Sequence, residues 1–362
     1  MKPRQFRALV VDHAQTPEAA TERAAKTAPP LNAAVTSLSS DRLSERSSAS
    51  EGASKDASKS GGGRVTIEVA YSSLNYKDAL AYQAHRGVVK QLPHIPGIDA
   101  AGTVVDSDSA DYSVGDQVIV TGSDLGQGSW GGWSELIRVP DEWIVALPEK
   151  LTLRQAMIYG TAGFTAAQSV MALQRNEVTP ASGEIVVTGA SGGVGSMAVR
   201  ILAHLGYDVV AVTGKPEQHA SLLACGARRV LDRNAVADDS NRPLLSATWA
   251  GAIDTVGGPV LQSLLRSIKY GGCVTACGLV AGAELSLTVY PFLLRGITLC
   301  GIASADCPMA KRKEIWQLLA GPWKPANLEA MVAEVGLEQL PEQVERILAG
   351  QIAGRVLVRP SA

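Results

Sequence analysis

Residues 184–206 read EIVVTGASGGVGSMAVRILAHLG. A short apolar β-type run meets a glycine-studded turn, and an amphipathic helical pattern follows. Gly189, Gly192 and Gly195 are spaced G-x-x-G-x-x-G, a close variant of the dinucleotide fingerprint. In that motif the first glycine permits a sharp turn and the second lets the backbone approach a pyrophosphate. The third lets the helix pack closely on the strand. Amide N–H groups opening the helix then face the phosphates, aided by the helix dipole. Glycine alone says little, because any crowded strand–helix turn favours it. Here the turn follows an apolar strand, opens a helix, and is succeeded by YDVVAVTG (207–214) as a second strand. That context predicts a nucleotide-binding βαβ unit.

Downstream, β-type runs at 184–188, 208–213, 229–231, 250–254, 272–276 and 297–302 alternate with helical patterns in most of the gaps. The rhythm predicts an α/β fold with a parallel, doubly wound sheet of Rossmann type. The run RGITLCGIAS (295–304) reads as an edge strand in need of a cover, which suggests a homodimer, although an interior strand would explain the same residues. Upstream, RVTIEVAYSSL, AAGTVVD, DQVIVTG and SELIRVP are punctuated by Gly, Asp and Pro, as in a compact β-rich domain. Helical spacing begins near 155 with RQAMIYGTAGFTAAQSVMALQ. The tail PEQVERILAGQIAGRVLVRP reads as a helix and a strand returning to the β-rich domain. The expected organisation is a β-rich domain at 1–155, a cofactor domain at 156–329, and a returning segment at 330–362. Between Arg7 and Ala70 there is no aromatic residue, and seven of the seventeen residues at 44–60 are serine. Such composition cannot bury enough apolar surface to offset ordering entropy, so roughly 14–62 is expected to be a flexible insertion.

The 362 residues are 46% hydrophobic and 19% charged, with a formal charge of −2 and a pI near 6.2. That balance gives no electrostatic footprint for nucleic acid or an anionic membrane. No stretch is apolar for long enough to span a bilayer, and the start MKPRQFRALVVDH lacks an apolar signal region. Five cysteines, all at or beyond Cys225 and without a CxxC pair, argue against a disulfide framework and a zinc knot. Buried thiols in a reducing cytoplasm are the expectation.

The end of the second strand decides which dinucleotide fits. An NAD site usually places Asp or Glu there for the ribose 2′-hydroxyl. This chain has Thr213, Gly214 and Lys215, and Arg233 follows the third strand. A hydroxyl and cations suit a 2′-phosphate, so the expected cofactor is NADPH; ordinary solvated surface charge is the competing reading.

IPGIDAAGTVV (95–105), VGDQVIV (114–120) and WGGWSELIRVP (130–139), with the glycine turn, resemble the medium-chain dehydrogenase/reductase superfamily. YSSLNYKDAL (71–80), GTAGFTA (160–166), WAGAIDTVGG (249–258) and YGGCVTACGL (270–279) narrow the resemblance. They are similar to the bacterial NADPH-dependent acrylyl-CoA reductase group of quinone-oxidoreductase-like enzymes, from about Arg64 onward. The resemblance implies a GroES-like β-rich domain beside the Rossmann domain, with the active site in the cleft between them. Many superfamily members use zinc, but the first domain here has no cysteine, and His85 and His94 have no thiolate partner. A metal-free site is therefore expected, better suited to reducing an activated C=C bond than to oxidising an alcohol.

The reaction implied is reduction of acryloyl-CoA to propanoyl-CoA. Quinone reduction and a non-catalytic NADPH-binding sensor are the alternatives. By the same resemblance Tyr76 lies beside the nicotinamide and is the candidate proton donor. Ser191, Gly192, Gly193 and Val194 hold the pyrophosphate, while Thr213, Gly214, Lys215 and Arg233 surround the 2′-phosphate. Leu279, Leu293 and Ser304 fall nearer the nicotinamide. Asn75, Lys77 and Thr161 are weaker candidates; the threonine equally reads as a helix cap.

Overall fold

The computed structural model describes residues 3–14, 31–43 and 62–362. It contains two large sheets and a separate hairpin. The hairpin pairs β1 (Gln5–His13) with β2 (Leu31–Ser39), antiparallel and in unbroken register. Strand β2 corrects part of the expectation for 14–62, because Leu31–Ser39 is ordered against β1. Six of its nine side chains are small or polar and none is fully buried, so the pairing draws on β1 and leaves little hydrophobic period to read. The expectation for 15–30 and 44–61 lies outside the described residues.

The first large sheet is antiparallel except at one edge. It holds β3 (Arg64–Ser73), β4 (Asp99–Ser107), β5 (Gln117–Thr121), β6 (Leu136–Pro140) and β7 (Ile144–Ala146). Its apolar positions, among them Val65, Ile67, Val104 and Val118, are fully buried. The helix α1 (Tyr76–Tyr82) leaves it after β3. The second sheet holds β8 (Ile185–Val187), β9 (Val209–Thr213), β10 (Arg229–Asp232), β11 (Trp249–Asp254), β12 (Ile268–Ala276) and β13 (Thr298–Gly301). All its pairings are parallel, in the order β10-β9-β8-β11-β12-β13. Every residue of β9 and β11 is buried, as expected of strands covered on both faces. The order reverses between β8 and β11, and there the carboxyl ends of the strands open a crevice.

Helix α2 (Leu153–Arg175) packs against strands of both sheets. Thr152 caps it reciprocally with Gln155, and its backbone breaks at Gly160 (φ 48°, ψ −156°). A Cβ at Gly160 would lie 2.5 Å from Asp99 Oδ2 and 2.9 Å from Arg355 Nη2, so both the backbone angle and the space require glycine. Helices α3 (Gly193–His204), α4 (His219–Ala224), α5 (Gly258–Ser267), α6 (Tyr290–Arg295) and α7 (Met309–Ala320) complete the second unit. After β14 (Val332–Val335) and α8 (Leu340–Leu348), β15 (Arg355–Val358) pairs antiparallel with β3 and carries the tail back to the first sheet. Strand β13 lies at the edge of the parallel sheet, as RGITLCGIAS suggested. All five cysteines are free, and no helix among the described residues is long and apolar enough to cross a membrane.

Candidate active site

The glycine turn sits at the reversal point. Gly189 adopts φ 56°, and a Cβ there would lie 2.3 Å from Thr255 Oγ1. Gly195 is closed in by its own turn, since a Cβ would come within 2.3 Å of the Gly189 carbonyl oxygen. Gly192 differs: its φ of −79° suits any residue, and the only atom near a Cβ would be Gly189 O at 3.3 Å. Gly192, Gly193 and Val194 are half-buried at the first turn of α3; Gly192 N–H donates to Gly189 O at 2.9 Å, while the Gly193 and Val194 amides have no partner among the described residues. The Ser191 hydroxyl meets Thr213 Oγ1 at 2.9 Å, which joins this turn to the end of β9.

Beneath the turn lies Arg355, fully buried at the head of β15. Its Nε donates to Ile158 O at 3.0 Å, and its Nη1 to Leu74 O and Asn75 Oδ1 at 3.3 Å. Nη2 is buried without a hydrogen-bond partner. A Cβ on Gly193 would lie 3.1 Å from Nη1, so the guanidinium abuts the turn directly. A buried cation against Gly193, beneath the unpaired Gly193 and Val194 amides at a helix N-terminus, fits a diphosphate.

Arg355 also ties the turn to the start of α1. Asn75, its N-cap, donates from Nδ2 to Asp99 Oδ2 at 2.8 Å, and its N–H to Asp78 Oδ2 at 2.8 Å. Asp99 accepts further from Ser73 Oγ (2.6 Å), Thr161 Oγ1 (2.6 Å) and Thr161 N (2.9 Å). Burial above all, and Asp99 after it, push the Asp78 carboxyl up to about 7, against the pull of the Ile98 and Asn75 amides. Asn75 and Thr161 are thus held inside this network, with the threonine hydroxyl turned to Asp99 at the restart of α2 after its break. Tyr76 begins α1 beside them, 47% exposed and without a hydrogen-bond partner for its phenol among the described residues. Lys77 is exposed.

At the carboxyl end of β9, Thr213, Gly214 and Arg233 come together. A Cβ on Gly214 would lie 3.0 Å from Arg233 Nε, and the exposed guanidinium has no partner among the described residues. Lys215 is nearby, but its Nζ already donates to Ile352 O at 2.8 Å, which links it to the returning tail. Across the crevice Ser304 is fixed by Arg312, a buried residue of α7. The guanidinium donates to Ser304 O (2.7 Å), Ala305 O (2.9 Å) and Thr121 O (2.8 Å), and it stacks 4.8 Å from the Phe164 ring centre. Leu279 follows β12 and packs by its backbone on Gly257, beside the turn. Leu293 is 74% exposed on α6.

Asp99, Asp78, Arg312 and Arg355 escape the motif reading. The available signals were a lone Asp inside IPGIDAAG and an Arg heading the apolar run RVLV. His85 lies exposed in a loop, whereas His94 is buried with Nε2 3.0 Å from Gly126 O. Among the described residues no group of three or more His, Cys, Asp or Glu side chains is arranged to hold a metal ion.

Comparison with known proteins agrees with this architecture. Residues 61–149 match the alcohol dehydrogenase GroES-like domain family and residues 193–321 the zinc-binding dehydrogenase family. The chain is 48% identical over 300 residues to acrylyl-CoA reductase AcuI of Ruegeria pomeroyi, covering 83% of this chain and 91% of that protein. The crystal structure of Escherichia coli K-12 YhdH with bound NADPH superposes with a TM-score of 0.84 at 43% identity, covering 97% of this chain and 99% of that one. That of Bacillus subtilis YhfP with NAD bound gives 0.87 at 43% identity, covering 99% and 100%. The chain belongs to the medium-chain dehydrogenase/reductase superfamily, in the branch that holds the acrylyl-CoA reductases and their quinone-oxidoreductase-like relatives.

Proposed function

We propose that this protein is an NADPH-dependent reductase of activated C=C bonds and that its substrate is acryloyl-CoA, converted to propanoyl-CoA. The observation that carries the reading is the buried Arg355, whose Nη1 abuts Gly193 beneath the Gly193 and Val194 amides, which have no partner among the described residues. Its relatives point the same way: a 48% identical protein is an acrylyl-CoA reductase, and YhdH binds NADPH. Thr213, Gly214 and Arg233 surround the 2′-phosphate, Ser191 to Val194 the diphosphate, and Leu279 and Ser304 approach the nicotinamide. The division at 155/156 and 329/330 belongs to this reading, with the cleft between the two units.

Bound NADPH supplies a hydride to the β-carbon of the enoyl thioester. The chain's own work is to orient the acyl group against that face and to stabilise charge on the thioester oxygen. It also delivers a proton to the α-carbon. Tyr76 is the donor in this account, because its phenol is open to the cleft while its backbone is fixed through Asn75. The exposed Val289, Tyr290, Leu293 and Leu294, on and just before the helix α6 that leads into the edge strand β13, support a homodimer through that edge.

Steady-state oxidation of NADPH tests the reading. Acryloyl-CoA is expected to be turned over in preference to a simple quinone, and Tyr76→Phe to lower kcat by about 100-fold. Preference for the quinone would replace the substrate assignment. NADPH binding without turnover of either would favour a sensor, and unchanged turnover by Tyr76→Phe would remove the proton-donor role.

A further inference from the structure

We propose that α1 and the loop after it form the anchor for the nucleotide phosphates of the CoA thioester. The inference rests on the acyl-CoA reading above and adds the place where the CoA moiety is held. Lys77, His85, Arg86 and Lys90 are all exposed. The only carboxylate between Lys77 and His94, Asp78, is fully buried and faces the Asn75 and Ile98 amides. Lys77, Arg86 and Lys90 have no ion-pair or hydrogen-bond partner for their charged ends among the described residues. Elsewhere on the surface Arg4, Arg138, Arg154 and Arg229 are paired with Glu68, Asp108, Glu334 and Glu184. Arg233, assigned above to a phosphate, is unpaired in the same way. The acid of α8 that acts on α1, Glu345, faces Tyr82.

The loop is built, not merely charged. His85 N–H donates to Leu80 O at 3.0 Å, and Val88 and Val89 N–H donate to His85 O at 2.8 and 2.9 Å. The Gly87 amide donates to His85 Nδ1 at 3.1 Å, and buried Val89 pins the turn to the core. Ala84 takes the left-handed conformation (φ 50°), which a side chain adopts only where surrounding structure imposes it. The cations are therefore carried on a fixed frame that begins at Tyr76, the proposed proton donor.

The distances suit a CoA thioester. Helix α1 has seven residues, so it carries the chain about 10 Å from Tyr76 before the loop begins. A pantetheine arm has as many backbone bonds as roughly four peptide residues and reaches about 14 Å when extended. An acyl group at Tyr76 thus brings the diphosphate and 3′-phosphate within range of Arg86 and Lys90. NADPH has its own cations, Arg233 beyond β9 and the buried Arg355 beneath the glycine turn, so a second polyanion needs a second set.

The test is titration of free coenzyme A into the NADP+-saturated protein, wild type against the double variant Arg86→Glu/Lys90→Glu. Wild type is expected to bind CoA with an affinity that falls steeply as salt rises, and the double variant to bind at least tenfold more weakly with a flatter salt dependence. The ratio of kcat/KM for acryloyl-CoA to that for the N-acetylcysteamine thioester of acrylate should fall by a similar factor. Equal CoA affinity in the two proteins overturns the proposal. So does a parallel loss of NADPH affinity, which would make the patch a general field. If neither thioester is reduced, the acyl-CoA reading fails, while the CoA titration still reports on the patch.

Discussion

Replacing Gly192 with valine should reduce NADPH affinity by about 100-fold or more while leaving the protein folded. The backbone there is extended (φ −79°, ψ 178°), so a β-branched residue meets no backbone strain, and its Cβ would press only on Gly189 O at 3.3 Å, which must give by a few tenths of an ångström. The added methyl groups fill the open space over the first turn of α3 instead. A diphosphate held off that turn loses at least two hydrogen bonds to a charged group, each worth about 1.5–3 kcal/mol. Losing glycine at the N-cap of α3 costs about 1 kcal/mol or less in stability. Titration of NADPH alongside a thermal melt separates the two effects. At Gly195 they would not separate, because a Cβ there runs into the turn's own backbone at 2.3 Å. Undiminished NADPH affinity in Gly192→Val would mean that the cofactor does not lie on this turn.

The second large effect is expected at Asp99. Its fully buried carboxylate accepts from Ser73, Asn75 and Thr161, and it is the first of the acidic groups acting on Arg355. Asp99→Ala leaves those donors facing apolar space and the guanidinium without its nearest compensation. Removing one member of a buried charged network typically costs about 3–5 kcal/mol. A fall in Tm of about 4–7 °C should follow, at a little over 1 °C per kcal/mol for a chain of this size. Because Thr161 restarts α2 after the break at Gly160, and Asn75 caps α1, the variant should also lose NADPH-dependent activity more than its melting shift explains. A loss below about 1 kcal/mol by urea unfolding would show that the network is not the joint between the two units.

The parts of the structure that rest on local period were legible in the sequence. All six strands of the parallel sheet fall within two residues of the expected runs, except β12, which begins four residues earlier, at Ile268. The glycine turn was legible because Gly189 and Gly195 answer steric demands of the turn itself, while Gly192 keeps the space above it open. Strand β2 was not: LNAAVTSLS alternates weakly and is held by β1, many residues away. Asp99 and Arg355 were invisible for another reason. They are 256 positions apart in sequence and meet only because β15 returns to β3.

The central claim is that the nicotinamide in this cleft reduces the double bond of an enoyl thioester. Incubation of the protein with acryloyl-CoA and NADPH deuterated at the transferring position of the ring, followed by mass spectrometry of the product, tests it most directly. The account predicts propanoyl-CoA carrying one deuterium, at the β-carbon. Propanoyl-CoA labelled at the α-carbon or not at all, or no propanoyl-CoA while NADPH is consumed, would contradict it.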